Sequence, residues 1–324
     1  MTDTDGAEIS PAHRIEGVID IMMPFYGDPD LFQAAVNSVR AQTDPHWRLV
    51  VIDDRYPDTA PGEWLQSLGD DRIEYQRNEV NLGVAGNFAR CIELTTASHT
   101  VIVGCDDLLL PNYVDRVRQL IGQFPSASYF QPGVQVIDGE GRLSEPLPDR
   151  VKNHYRPTVS GPTELKGEEL ATSLLRGNWT YFPSICWNAD ILRTHGFRAD
   201  LEVVLDLALQ FEIVLSGGSL VLDTVPAFRY RRHSASVSSW KANDGSRFLE
   251  ERNFFLTAAT RLSARKWDSA ARAAAHHYSS RMNALTRLPA AIAAGSGSGI
   301  RSLLSHAFGK GLFGVPTGRP AADR

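Results

Sequence analysis

The chain has 324 residues, 43% of them hydrophobic, and a formal net charge of −5. That length and apolar content can bury a full core in one large domain or two moderate ones, and the acidic balance argues against general nucleic-acid binding. The three cysteines, Cys91, Cys105 and Cys186, form no CxxC pair, so there is no zinc or disulfide signal and the usage fits a reducing cytoplasm.

Residues 1–16 are polar and acidic, with no apolar stretch of signal-peptide type, and are expected to be a disordered tail. From Gly17 the chain alternates strand and helix patterns. Gly17 to Met23 reads as a buried strand closed by Pro24. Asp30 to Gln42 sets Leu31, Ala35, Val36 and Val39 near helical spacing, with Asp30 as N-cap. Trp47 to Ile52 is a second strand, ended by Asp53-Asp54. A short helix at Glu63 to Leu68, a third strand at Arg72 to Gln76 and a helix at Val84 to Thr95 follow. Thr100 to Val103 is the fourth strand and Tyr113 to Gln123 the next helix. Such alternation implies an α/β fold, with a mostly parallel sheet flanked by helices, and ligands at the carboxyl ends of its strands. Pro24-Phe25-Tyr26, Asp53-Asp54, Arg77-Asn78 and Asp106-Asp107 all fall at those ends.

The next stretch is less regular. Tyr129 to Ile137 reads as a strand before an Asp138-Gly139-Glu140-Gly141 turn, and Gly167 to Arg176 as a helix. Asn178 to Asn188 is rich in aromatic residues. Leu201 to Ser216 has strongly apolar helical spacing, ended by Gly217-Gly218, and Ser219 to Asp223 is another strand. Helical patterning from Arg247 is expected to break at Pro289, and the Gly/Ser-rich end from Gly295 to be flexible. No run of about 18 apolar residues predicts a membrane span. Residues 246–324 carry a net charge of +8 against −13 for the rest, which leaves three uses open for this basic region: packing on the main domain, a dimer contact, or a peripheral contact with anionic lipid.

The chemistry centres on Cys105-Asp106-Asp107. Two adjacent carboxylates at the end of a buried strand stay ionised only when paired or bound to a cation. They point to a hard metal ion and, behind it, a substrate carrying phosphate.

These residues resemble the family 2 nucleotide-sugar glycosyltransferases, which are inverting enzymes of the GT-A (Rossmann-like) fold. The resemblance runs through Ile21-Met22-Met23-Pro24-Phe25-Tyr26, Ser38-Val39-Arg40-Ala41-Gln42-Thr43 and Val50-Val51-Ile52-Asp53-Asp54. It continues through Arg77-Asn78, Asn81-Leu82-Gly83 with Asn87, and Gly104-Cys105-Asp106-Asp107 with Pro111, and closes with Leu205-Asp206-Leu207 and Tyr230-Arg231-Arg232-His233. It covers roughly residues 17–240, and a catalytic domain is expected over 17–245: a nucleotide-binding half, 17–125, and an acceptor half, 126–245. Residues 246–324 remain as a basic helical extension.

The resemblance implies roles for individual residues. Asp54 would receive the base N–H and Tyr26 would lie beside the base. Pro24, Arg77, Asn81, Gly83, Asn87 and Asp107 would complete the nucleotide site. Asp106, with His233, would hold Mn2+ or Mg2+ on the diphosphate, and Arg231 and Arg232 could pair with phosphate. Asp206 would take the proton of the attacking hydroxyl, with Glu202 as the competing carboxylate. Trp179 and Tyr181 could stack on an acceptor sugar. Two departures stand out: Gly104 replaces the first acid of the usual Asp-x-Asp-Asp, and Leu205 replaces the Glu that commonly precedes the base. The Gln-x-x-Arg-Trp signature of polymer-extruding synthases is absent. The expected activity is transfer of one sugar from a UDP or dTDP sugar to a glycan or lipid-linked glycan in cell-envelope or extracellular polysaccharide synthesis. The enzyme is expected in the cytoplasm or on the inner face of the membrane. Transfer to a polyprenyl phosphate, or an inactive relative serving as a binding subunit, are the alternatives.

Overall fold

In the computed structural model, which describes residues 17–198, 200–232, 246–293 and 295–309, the apolar runs of the first half form one edge of a nine-stranded sheet. Strands β1 (Ile19–Phe25), β2 (Trp47–Asp53), β3 (Ile73–Arg77) and β4 (His99–Ile102) stack in the order β3-β2-β1-β4, all parallel. The sheet continues through β8 (Cys186–Asn188), β6 (Tyr129–Ile137), β9 (Ser219–Arg231) and β5 (Leu108–Leu109), and β7 (Thr163–Lys166) pairs with β9. β6 and β9 run in the same direction as the first four strands, and β8 runs against both β4 and β6.

Helices cover both faces, which is why the central strands read as unbroken apolar runs rather than alternating ones. On one face, Phe32, Ala35, Val36 and Val39 of α1 (Pro29–Arg40) and Val114, Val117 and Leu120 of α4 (Tyr113–Gln123) pack with Ile21, Met23, Leu49 and Val51. Met22, Val50 and Ile52 point to the other face and are equally buried. The helix α1 starts earlier than its sequence suggests. Its N-cap is Asp28, which accepts from Asp30 N at 2.8 Å and Leu31 N at 3.1 Å, not Asp30. Pro29 at the first helical position lacks an N–H to leave unsatisfied, so the cap sits before it.

β9 is much longer than the predicted Ser219 to Asp223. It continues through Pro226 because its register against β6 shifts around Gly133. A β-carbon on Gly133 would lie 2.5 Å from the Thr224 carbonyl oxygen, so only glycine allows this backbone approach.

A buried ion pair ties β1 to β2 away from the site. Asp20 accepts from Arg48 Nε at 2.9 Å and Nη2 at 3.0 Å, and from the N–H groups of Thr96 and Ala97. Asp20→Ala would remove the buried counter-charge of Arg48 and leave the N–H groups of Thr96 and Ala97 without this acceptor. A loss of about 3–5 kcal/mol is expected in urea unfolding; a loss under 1 kcal/mol would show that the pair is not structural.

The chain divides into two compact units. One comprises the described residues of Met1–Arg150, Pro157–Leu170 and Thr180–His233; the other those of Val151–Arg156, Ala171–Trp179 and Ser234–Arg324. The second unit contains α9 (Ser246–Ala264), α10 (Asp268–His276), α11 (Tyr278–Ala293) and α12 (Gly297–Phe308). Two sequence expectations change here. Pro289 lies inside α11 rather than ending it, and the Gly/Ser-rich stretch forms α12, capped by Ser296 Oγ accepting from Gly299 N at 3.2 Å. Phe248, Ala284, Ala291, Leu303 and Ala307 make its small core. No helix among the described residues is long and apolar enough to cross a membrane.

Beside that core lies a buried polar network. Ser280 Oγ donates to Glu251, and His306 Nε2 lies 2.7 Å from the same hydroxyl; His277 stacks on Phe255 and faces His306. Burial, with Arg281 nearby, pulls both histidines down to about 4. Unfolded histidine titrates near 6.5. The unfolded state therefore binds more protons between pH 6.5 and 4, and stability is full above this window and falls as pH drops through it. Each histidine is expected to cost on the order of 2–3 kcal/mol by pH 4. Denaturant melts at pH 7.5 and 5 check this; a pH-independent midpoint over that range would contradict it.

Candidate active site

The parallel strands deliver their carboxyl ends to one edge. Phe25, Asp53 and Arg77 stand in one row across β1, β2 and β3, and Asp54 N donates to Phe25 O at 2.9 Å. Tyr26 follows β1 and is 54% exposed, with its ring set edge-on to Tyr56 at 5.6 Å. Pro24 lies within β1, beside Ile52.

Asp53 is a buried organiser. It accepts from Tyr56 N at 2.6 Å, Tyr75 Oη at 2.5 Å and Arg77 Nη1 at 3.3 Å. Burial, reinforced by this carboxylate, pushes the Tyr75 phenol up to about 12, so it remains a donor. Asp54 gathers the next segment. Asn78 Nδ2 donates to its Oδ1 at 2.9 Å, Leu82 N to Oδ1 at 2.7 Å and Gly83 N to Oδ2 at 2.9 Å. It thus caps the helix α3 (Gly83–Leu94), where Gly83 takes φ +69°. Asn81 Nδ2 bonds the Asp54 carbonyl at 2.9 Å; Asn87 accepts from Asn78 and donates to Ile52 O. Arg77, Asn81, Gly83 and Asn87 thus assemble around Asp53 and Asp54. Asn87 is buried and shapes the loop from behind.

Beyond β4, the chain turns at Gly104, and Asp107 N donates to Gly104 O at 3.2 Å. Asp107 is 2% exposed, and its Oδ1 accepts from Arg231 N at 2.8 Å. Burial, and then the charge of Asp106, raise the Asp107 carboxyl well above the usual carboxylate range. A β-carbon on Gly104 would lie 2.7 Å from Asp106 Oδ1 and 2.7 Å from Asp107 Oδ2, so the two carboxylates face one point. Paired carboxylate oxygens suit a hard divalent cation whose other ligands are phosphate oxygens and water. Among the described residues no group of three or more His, Cys, Asp or Glu side chains gathers to hold a metal alone. His233 lies outside the described residues.

The two arginines after Tyr230, expected as phosphate contacts, have protein acceptors. Arg231 Nε bonds Asp106 O at 2.7 Å, and its Nη1 bonds Asp138 O and Gly139 O. Arg232 makes a bidentate pair with buried Asp149 at 2.8 and 2.9 Å. Tyr181 Oη donates to the same carboxylate at 2.9 Å. Tyr181 and Trp179 are both buried, and Trp179 Nε1 donates to Ser173 Oγ. Neither ring presents a face on which a sugar could stack, so the acceptor role expected of them is revised to a structural one.

Asp206 sits in the first turn of α8 (Leu205–Leu215), four residues later than the predicted helix start. It is therefore not a charge in mid-helix but one at a helix N-terminus, where negative charge is favoured. Its Oδ1 accepts from Leu207 N at 2.7 Å. Glu202 lies before the helix and is exposed. A bonded path joins Asp206 to the acidic turn. Gln210 Nε2 donates to Asp206 O and Thr180 Oγ1; Tyr181 and Arg232 meet at Asp149; and Arg231 binds Asp107. Sequence reading missed Asp149, whose partner is 83 residues away.

Residues 20–174 match the family model described as glycosyl transferase family 2. Over that stretch, just under half of its length, the chain is similar to the family 2 glycosyltransferases. Its fold resembles that of S. aureus TarS 1–349 in complex with UDP-GlcNAc, with a TM-score of 0.64 at 14% identity, covering 90% of this chain and 81% of that one. The same protein in complex with UDP matches with a TM-score of 0.61. In sequence, the chain is 30% identical over 144 residues to the uncharacterized protein y4gI of Sinorhizobium fredii, a match over 43% of this chain and 15% of that protein. It is 21% identical over 264 residues to the uncharacterized protein MT1568 of Mycobacterium tuberculosis, covering 79% and 80%. It is 28% identical over 98 residues to Escherichia coli WfgD, a UDP-Glc:alpha-D-GlcNAc-diphosphoundecaprenol beta-1,3-glucosyltransferase, over 30% of this chain and 38% of WfgD. The glycosyltransferase domain is thus of GT-A type, an α/β sheet flanked by helices.

Proposed function

We propose that this domain moves one sugar, with inversion, from a UDP or dTDP sugar to a hydroxyl of a glycan or lipid-linked glycan, in cell-envelope or extracellular polysaccharide synthesis. The observation that carries this reading is the convergence of the Asp54 cluster and the Asp106–Asp107 turn on one edge of a parallel sheet. In this reading Asp54, buried and already accepting from Asn78, Leu82 and Gly83, would also accept from the base N–H, and the exposed ring of Tyr26 would lie beside the base. The chemistry of neighbouring proteins supports a UDP donor: TarS is seen with UDP-GlcNAc and UDP, and WfgD is named for transfer from UDP-Glc to a diphosphoundecaprenol-linked sugar.

Asp106 and Asp107 would hold Mn2+ or Mg2+ on the diphosphate. Such an ion supplies charge stabilisation to the departing nucleoside diphosphate. Arg231 fixes the acidic turn through the Asp106 carbonyl and the Asp107 carboxylate, and Asp149 fixes Arg232 beside it. Asp206, at the start of α8, accepts the proton of the attacking hydroxyl.

A panel of UDP, dTDP and GDP sugars, each scored for nucleoside diphosphate release with Mn2+ or with chelator, tests the reading. Release from a UDP or dTDP sugar, abolished by chelator, is expected. No nucleoside diphosphate binding or release from any donor would contradict it.

A further inference from the structure

Gly104 stands where the family pattern has its first acid, and its surroundings are more informative than its identity. A β-carbon there would meet Asp106 Oδ1 and Asp107 Oδ2 at 2.7 Å each, closer than a carbon and an unbonded oxygen can approach. The place of the missing acid is already filled from two sides.

The question is whether those oxygens could move away. Asp107 cannot do so cheaply. It is buried, its other oxygen accepts from Arg231 N at 2.8 Å, and its own N–H is bonded to Gly104 O. Arg231 in turn is anchored to three carbonyls, those of Asp106 at 2.7 Å, Asp138 at 3.1 Å and Gly139 at 2.8 Å. Displacing the Asp106 side chain instead would take its oxygen off the point it shares with Asp107. A side chain at 104 therefore separates the pair whichever partner gives way.

We propose that Gly104 is a positioning residue for the metal site: by lacking a side chain it lets Asp106 and Asp107 close over residue 104 as a two-carboxylate head, so that restoring the family's acid weakens cation binding instead of completing it. This rests on the metal–diphosphate reading above. It reverses the simple expectation that an acid missing from a motif is a ligand lost.

The test uses the full chain with Gly104→Ala and Gly104→Asp, and Gly122→Ala as a control, since nothing lies within 4 Å of a β-carbon at Gly122. Mn2+ uptake in the presence of UDP is followed by the spin-resonance signal of free Mn2+, and UDP affinity without metal by calorimetry. Both Gly104 variants are expected to bind Mn2+ at least about tenfold more weakly than wild type, with metal-free UDP affinity unchanged and Gly122→Ala like wild type. Mn2+ binding by Gly104→Asp as tight as wild type or tighter overturns the proposal. Loss of metal-free UDP binding in both variants also overturns it, because Gly104 would then serve the fold and not the metal head. Wild-type protein that binds UDP but takes up no Mn2+ would remove the metal reading of the function itself, a result distinct from the other two.

Discussion

Asp206→Asn is expected to lower kcat by about two to four orders of magnitude, the usual contribution of a positioned general base, while leaving UDP affinity within about twofold. The substitution keeps the shape of the side chain and can keep the hydrogen bond from Leu207 N, so α8 should start at the same residue. What it removes is the ability to take a proton from an acceptor hydroxyl. The effect should fall on kcat rather than on the donor KM, because an interaction made only as the proton moves does not contribute to ground-state binding. Glu202→Gln, by contrast, should leave turnover within a factor of a few, since Glu202 is exposed and precedes the helix. Steady-state rates with a saturating donor separate the two carboxylates. If Asp206→Asn turned over at near the wild-type rate, the acceptor would have to be an anion needing no base, as in transfer to a polyprenyl phosphate.

The second large effect is expected at the acidic turn. Asp106→Ala should abolish metal-dependent UDP binding and reduce turnover by at least about a thousandfold, since the charge stabilisation lost is worth several kcal/mol. Asp106 is the better probe of the two aspartates because its side chain is partly exposed, whereas Asp107 is buried and bonded to Arg231 N. Asp107→Ala would combine a binding defect with a structural one. Calorimetry of UDP with and without Mn2+ reads the first effect. Equal UDP affinity in both conditions for wild type and Asp106→Ala would exclude Asp106 from a metal site.

Much of the nucleotide-binding half could be read from sequence because parallel strands buried on both faces appear as short apolar runs, and because the polar residues that follow them stand at one edge. Asp54, Asn78, Asn81, Gly83 and Asn87 are near enough in sequence for their spacing to suggest a cluster, and they form one. What sequence could not reveal was long-range pairing. Asp149 lies in the first turn of a short helix, Leu147–Tyr155, and Arg232 follows β9, and neither has a local pattern that names the other. The extent of β9 was hidden by Asp223 to Pro226, a stretch that looks like a turn but passes Gly133 of β6 with a shift in register. Helix α12 was hidden by its glycines and serines, whose composition suggests a linker, although Leu303 and Ala307 fall on one buried face. Gly104 was read as an absence, and only the positions of two neighbouring oxygens show that the space is in use.

The edge holding Asp54 and the Asp106–Asp107 turn is expected to bind a nucleoside diphosphate and a divalent cation together. A crystal structure with UDP and Mn2+, with the cation located by its anomalous signal, tests it most directly. The base is expected against Asp54 and Tyr26, and the anomalous peak between the diphosphate and the carboxylates of Asp106 and Asp107. UDP bound elsewhere, or a cation held without either carboxylate, would contradict it.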